Sequence, residues 1–272
     1  MGHQTRRVWV MTQSMMSYSD TGTGFPVLLG HSYLFDKSMW SPQIDTLAKY
    51  FRVIATDLWG HGQSPALPAS TSSMADIAVD HLALMDSLDI REFAVVGLSV
   101  GGMWGAELAA AAPERVKALM LFDTFVGDET QEARDRYFMM LNAIKALGSI
   151  PVPMLEYVVA QFYSRYANPE DIRQLSTSLS ALSPEQLRTS IVPLGELIFG
   201  RPNRLALLET ITCPTHVATG ALDLPRPATE GRLMAEKLGC DFTLIPNAAH
   251  ISNRENPEMV TQLIVDFLRQ YG

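Results

Sequence analysis

Glu92-Phe93-Ala94-Val95-Val96-Gly97-Leu98-Ser99-Val100-Gly101-Gly102-Met103-Trp104-Gly105-Ala106 is the stretch whose reading decides the fold. It opens with an unbroken apolar run, Phe93–Val96, of the kind that forms a strand buried on both faces. It continues into an alanine-rich segment, Val100–Ala112, that reads as a helix and is stopped by Pro113. Between them lies Gly97-Leu98-Ser99-Val100-Gly101, of the form Gly-x-Ser-x-Gly. A serine in a tight strand-to-helix turn is pushed out of the backbone, because small flanking residues let the chain fold back without Cβ clashes. The Val100 N–H then opens the helix beside the hydroxyl, with the positive end of the helix dipole behind it, where it can hold an oxyanion. The alternative is an ordinary turn in which Ser99 is only an N-cap. The loop lacks the lysine and the glycine spacing of a phosphate-binding loop.

Outward from this turn, strand-like and helix-like segments alternate. Arg7–Thr12 and Met16–Asp20 read as an opening hairpin, followed by strands at Phe25–Gly30 and Phe51–Thr56 with a helix near Met39–Tyr50 between them. Met74–Leu88 repeats apolar residues at helical spacing behind Ser73 as N-cap. Val116–Asp123, Thr215–Thr219 and Phe242–Ile245 read as further strands, and Pro227–Leu238 and Pro257–Gln270 as helices. Such alternation predicts an α/β protein with a mostly parallel sheet, here eight strands, covered by helices on both faces. The stretch from Val126 to Leu208 breaks the rhythm with helical segments alone: Asp135–Leu147, Pro153–Tyr166, Pro169–Ser180 and Pro184–Val192. We expect residues 1–125 and 209–272 to form a core domain. Residues 126–208 are then a helical cap inserted between two core strands, above the sheet edge where open parallel sheets bind ligands.

A serine hydroxyl is a weak nucleophile until a base removes its proton. Of the six histidines, His3 lies at the terminus, His81 in a helix, His216 in a strand and His61 in the Gly60-His61-Gly62 turn. His31 ends a strand. His250 sits in the small-residue loop Asn247-Ala248-Ala249-His250 after the last strand, and is the expected base. A carboxylate must orient its imidazole. Asp57, Asp123 and Asp223 all stand at strand ends; Asp57 opens a turn that its own carboxylate can tie down. Asp223 is the expected acid and Asp123 the alternative, one strand earlier. The second oxyanion donor should be the backbone N–H of Tyr33, in the loop after Phe25–Gly30.

The chain has 272 residues, 47% of them hydrophobic, with a formal net charge of -8. That is apolar material enough for one sizeable core. The negative balance argues against nucleic-acid partners, and no run approaches the roughly 18 apolar residues of a membrane span. Two cysteines, Cys213 and Cys240, cannot make a disulfide framework or a structural zinc site and are expected as free thiols. Arg6-Arg7 before Val8–Thr12 is too short a pattern for a signal peptide, so a cytoplasmic protein is expected.

With these residues in view, the chain resembles the α/β-hydrolase superfamily over essentially its whole length. The matching features are the strand-end loop at His31, Asp57-x-x-Gly60-x-Gly62-x-Ser64, the elbow at Ser99, the Asp223 loop and the His250 loop. Ala248-Ala249-His250-Ile251-Ser252-Asn253 followed by Glu255-Asn256-Pro257 looks like the 3-oxoadipate enol-lactonase and arylesterase branch. That resemblance implies a cofactor-free, metal-free serine hydrolase acting on a small-molecule ester or lactone through an acyl-enzyme. Two positions depart from it: Ser32 follows His31 where glycine is usual, and Trp59 stands where enol-lactonases often carry arginine. Without that cation, a small dicarboxylate is a poorer substrate than an uncharged one. His31, Trp59, Phe125, Met139 and Phe162 are expected to wall an apolar pocket, methionine being suited to irregular shapes. Arg134, Arg136 and Arg254 are expected on the solvated surface. The same three catalytic groups also suit a cofactor-free perhydrolase or haloperoxidase, or a carbon–carbon bond hydrolase. A receptor keeping the fold as a ligand pocket is the non-enzymatic alternative. Homo-oligomerisation is left open.

Overall fold

A computed structural model describes residues 15–271. Seven strands run in the order β1 (Tyr18–Thr21), β3 (Phe51–Thr56), β2 (Phe25–Gly30), β4 (Phe93–Leu98), β5 (Val116–Phe122), β6 (Thr215–Gly220) and β7 (Asp241–Ile245). Only β1 is antiparallel to its neighbour; every other pairing is parallel. The sequence predicts eight strands. The described residues form seven, and the expected Arg7–Thr12 strand lies outside them.

The strands alternate in what they bury, because successive side chains leave a strand on opposite faces. Leu28, Ile54, Val95, Leu119 and Val217 join one core, together with Met74 and Ile77 of α2 (Met74–Ser87), Met103 and Trp104 of α3 (Val100–Ala111), and Met234. Val27, Leu29, Val53, Val96 and Met120 join the other, against Leu47 of α1 (Ser41–Leu47) and Val260 and Ile264 near the C-terminus. Both faces of the central strands are therefore dry, which is why Phe93–Val96 carries no polar residue.

Between β5 and β6 the chain is helical: α4 (Gln131–Leu147), α5 (Val152–Phe162), α6 (Pro169–Ser180), α7 (Pro184–Gln186) and α8 (Val192–Gly200). The sequence suggests one helix over Pro184–Val192. Instead, α7 runs into a wide turn with i→i+5 geometry at Leu187–Ile191 and then into α8. Pro193 lies in the first turn of α8, where a helix needs no amide hydrogen, so the chain continues helical past Val192. The wide turn docks on the core: Ser190 Oγ accepts from the Leu67 N–H, and Gln186 Nε2 donates to the Gly60 carbonyl. After β6 come α9 (Ala228–Leu238), the short α10 (Ser252–Glu255) and α11 (Pro257–Leu268). No helix among the described residues is long and apolar enough to cross a membrane. Cys213 and Cys240 are free, and burial pushes both thiols up, Cys240 to about 11.

His81 of α2 is buried, stacked on Trp104 at 3.6 Å, with Nε2 facing Thr56 Oγ1 at 3.1 Å. Burial lowers it from 6.5 to about 3. The unfolded chain therefore takes up a proton that the folded one refuses, so folding stability falls as pH drops from 6.5 toward 3. Urea midpoints measured across that window should decline steadily, and His81→Leu should flatten part of the slope. A second expectation concerns the turn. A Cβ on Gly101 would stand 2.3 Å from the Gly30 carbonyl oxygen. Gly101→Ala should destabilise the fold by about 1–3 kcal/mol, as overpacking does, in equilibrium unfolding.

Candidate active site

Ser99 sits at φ 57, ψ -120, a backbone conformation that an L-residue adopts only when its surroundings enforce it. Four bonds enforce it: the Ser99 N–H donates to the Phe122 carbonyl, and its own carbonyl accepts from Gly102 N at 2.9 Å, Met103 N at 3.1 Å and Thr124 Oγ1 at 2.6 Å. Close backbone approach does the rest, since a Cβ on Gly97 would lie 2.2 Å from the Gly101 oxygen. The Ser99 side chain makes no capping bond to α3, as a plain N-cap would. Its hydroxyl meets His250 Nε2 at 2.9 Å instead.

His250 follows β7 in a loop held by Glu255. One carboxylate oxygen accepts from Ala249 N at 2.6 Å, and the other accepts from the Ser164 N–H and hydroxyl beyond α5. Phe162 lies parallel to the imidazole, ring centres 5.4 Å apart. His250 Nδ1 faces both oxygens of Asp223, at 3.0 and 3.2 Å. Asp223 lies in the loop after β6, where its Oδ1 also accepts from the Arg226 N–H at 3.0 Å. Asp123, the alternative acid, is engaged elsewhere. Its carboxyl accepts from Gly220 N at 2.7 Å and Ser252 Oγ at 2.5 Å, joining the ends of β5 and β6 to α10. Burial and then the charge of Asp223 push Asp123 well above the usual carboxylate range. The three strand-end aspartates thus take three different jobs. Asp57 ties its own turn, accepting from the Lys37 and Gln63 N–H groups and pairing with the Lys37 ammonium.

Val100 heads α3, and Tyr33 lines the same cavity as Ser99. Two buried histidines pin the loop that carries Tyr33. His31 Nε2 accepts from Leu58 N at 2.9 Å, and His61 Nε2 accepts from Leu34 N at 3.2 Å. Both must be neutral at that nitrogen to accept, and burial lowers both, His61 to about 4. Leu34 adopts φ 70, the conformational demand that these bonds sustain. The Tyr33 hydroxyl donates to the Ile191 carbonyl in the wide turn, so the helical insertion and this loop are fastened together.

A cavity of about 100 Å³ opens onto Ser99 and His250. Of the five side chains expected to wall it, only Phe162 does. His31 is fully buried as a loop pin, and Trp59 turns its Nε1–H to Asp80 Oδ2 at 2.7 Å. Phe125 packs in the core against Gly127. Met139 is 67% exposed, while Met140, about 100° further round α4, faces the cavity. Tyr137, Ile144 and Phe199 complete much of the apolar wall. Arg254 is paired with Asp171, and neither it nor Arg134 or Arg136 reaches the cavity. Two charged residues that the sequence reading passes over do line it: Glu129 and Arg226. Arg226 Nη2 lies 2.6 Å from both Glu129 oxygens, and Arg201 Nη1 lies 2.7 Å from Glu129 Oε1. Burial alone would raise Glu129; the two guanidinium groups outweigh it and hold its carboxyl below the usual range. These residues lie up to 97 positions apart, and only Arg226, three residues after Asp223, stands near a motif. Among the described residues, no group of three or more His, Cys, Asp or Glu side chains is arranged to hold a metal ion.

Residues 26–257 match the family described as having the alpha/beta hydrolase fold. The structure superposes on a thermophilic esterase from Thermogutta terrifontis with a TM-score of 0.84 at 30% identity, covering 94% of this chain and 93% of that one. It superposes on the enol-lactonase from Burkholderia xenovorans LB400 with a TM-score of 0.81 at 26% identity, covering 93% and 96%. In sequence it is 30% identical over 236 residues to a pimeloyl-[acyl-carrier protein] methyl ester esterase of Chromobacterium violaceum, spanning 84% of this chain and 88% of that protein. The chain belongs to the α/β-hydrolase fold family and stands among its hydrolases.

Proposed function

We propose that this protein is a serine hydrolase that cleaves an uncharged carboxylic ester or lactone of small to medium size, with Ser99 as nucleophile, His250 as base and Asp223 as acid. The observation that carries this is the unbroken relay Asp223–His250–Ser99, at 3.0 and 2.9 Å, opening into an apolar cavity. His250 Nε2 removes the proton as Ser99 Oγ attacks the carbonyl carbon. Asp223 holds Nδ1–H and balances the imidazolium that forms. The N–H groups of Tyr33 and Val100 receive the oxyanion. His250 then gives its proton to the departing alkoxide, and the same groups activate a water that hydrolyses the acyl-serine.

The relatives named above as esterases and an enol-lactonase support an acyl carbonyl as the point of attack. The helical stretch 126–208, read as a cap over a core of residues 1–125 and 209–272, supplies the apolar walls. The charge arrangement favours neutral substrates, because the one arginine lining the cavity, Arg226, already holds both oxygens of Glu129 through Nη2. A free substrate carboxylate would be buried without a partner.

A fluorophosphonate probe followed by peptide mass spectrometry should find its adduct on Ser99; an adduct elsewhere, or none on active protein, removes the nucleophile assignment. Ser99→Ala should abolish hydrolysis of p-nitrophenyl butyrate. Asp223→Asn should lower kcat by about 10²- to 10⁴-fold through loss of the correct imidazole tautomer. Asp123→Asn should cost far less, since Asp123 bonds backbone and Ser252 and does not reach His250; the reverse order would transfer the acid role. Between two substrates of equal length, kcat/KM for p-nitrophenyl butyrate should exceed that for p-nitrophenyl hemisuccinate by about 10-fold or more, which corresponds to about 1.4 kcal/mol.

A further inference from the structure

The Glu129 cluster is buried far beyond what pairing at a surface requires. Side-chain exposures are 5% for Glu129, 6% for Arg226 and 4% for Arg201. Buried ion pairs of this kind are weak contributors to stability, because desolvation offsets most of the Coulomb attraction. Their placement is more telling. Glu129 lies in the loop between β5 and α4, Arg201 at the C-terminus of α8, and Arg226 in the loop that carries Asp223. Arg201 Nη1 also donates to the Ile198 carbonyl, so the cluster clasps the end of α8. Arg226 reaches the relay from its other end, its backbone N–H donating to Asp223 Oδ1 while its Nη2 meets both oxygens of Glu129.

We propose that Glu129 is a positioning residue: through Arg226 Nη2 it holds the Asp223 loop against the helical insertion, and its charge offsets the guanidinium groups of Arg201 and of Arg226, which lines the cavity shared by Ser99 and His250. This rests on the assignment of Ser99, His250 and Asp223 made above, and adds to it a residue that touches none of the reacting atoms. The groups facing Glu129 are Arg226, Arg201 and Tyr137, and Glu230 faces Arg226 Nη1 at 3.4 Å. Those around the relay are Asp123, whose carboxyl feels Asp223, and Glu255, which holds the His250 loop. Glu129→Gln removes one negative charge and leaves the cations in place. The cavity that Arg226 lines with Ser99 and His250 then carries a positive charge with no carboxylate to offset it, and the loop loses the charge-assisted bonds that hold it to the insertion.

The test is the second-order rate constant for fluorophosphonate labelling of Ser99, measured against pH. For Glu129→Gln the acid limb should move to lower pH by about half a unit or more, as expected for a unit charge near the relay. The plateau should fall about 10-fold or more, a size usual for partners that orient a first ring of reacting groups. Glu129→Asp, which keeps the charge, should return the limb toward its wild-type position. A Glu129→Gln protein that melts at a lower temperature but labels with the wild-type limb and plateau overturns the inference and leaves the Ser99 assignment intact. Wild-type protein that fails to label at Ser99 overturns that assignment instead. Should Glu129→Gln not fold, Arg226→Lys decides: it keeps the charge and loses the guanidinium plane that spans Glu129 and Glu230, so the plateau should fall about 10-fold with the limb unmoved. A wild-type plateau in that variant overturns the inference.

Discussion

Everything at the candidate site hangs on a steric constraint one residue wide, the turn at Ser99. A strand that must end at the sheet edge and a helix that must lie back across that sheet leave the connecting residue at positive φ, where a side chain is strained. The strain is sustained because both flanks are made of backbone. Gly97 passes the Gly101 carbonyl, and Gly101 passes Gly30 on the neighbouring strand, at separations that exclude a Cβ. The packing of β2, β4 and α3 thereby decides where the Ser99 hydroxyl emerges. Every later element is placed relative to that point.

The second level of organisation is electrostatic, and it works by giving chemically identical groups different partners. Asp57, Asp123 and Asp223 all end strands, yet one pairs with a lysine, one is buried among neutral donors and one faces an imidazole. His31, His61 and His81 are likewise taken out of chemistry by burial, which keeps them neutral acceptors or stacked packing groups. What remains at the cavity is one histidine within reach of one serine. The insertion is tied into the same network. Tyr33 bonds Ile191, Phe162 covers His250, and Arg201 shares Glu129 with the loop of Asp223.

Much of this is legible in the sequence because it is local. The strand-turn-helix around Ser99 is written in consecutive residues: an apolar run, glycines at two fixed offsets and a helix former behind them. Ser73 before Met74 reads as a cap and serves as one, accepting from Asp76 N at 3.2 Å. The expected base and the candidate acids follow from position, because loops after parallel strands all open on one sheet edge. The extent of the Pro184–Val192 segment is not legible for the converse reason: whether Pro193 begins or interrupts a helix depends on the wide turn before it.

The sequence alone therefore determined the strand and helix order, the elbow and the residues competing for each role, since these depend on neighbours within a few positions. Tertiary structure decided which competitor faces which partner, which side of α4 turns inward, and which charged residues meet. Met139 and Met140 are equivalent as letters, and only the rotation of the helix against the core separates them. Glu129, Arg201 and Arg226 acquire meaning only when three distant segments converge, because Coulomb attraction acts through space and leaves no spacing in the chain to read. Ser99, the residue first singled out, was visible from five letters. What holds it ready was not.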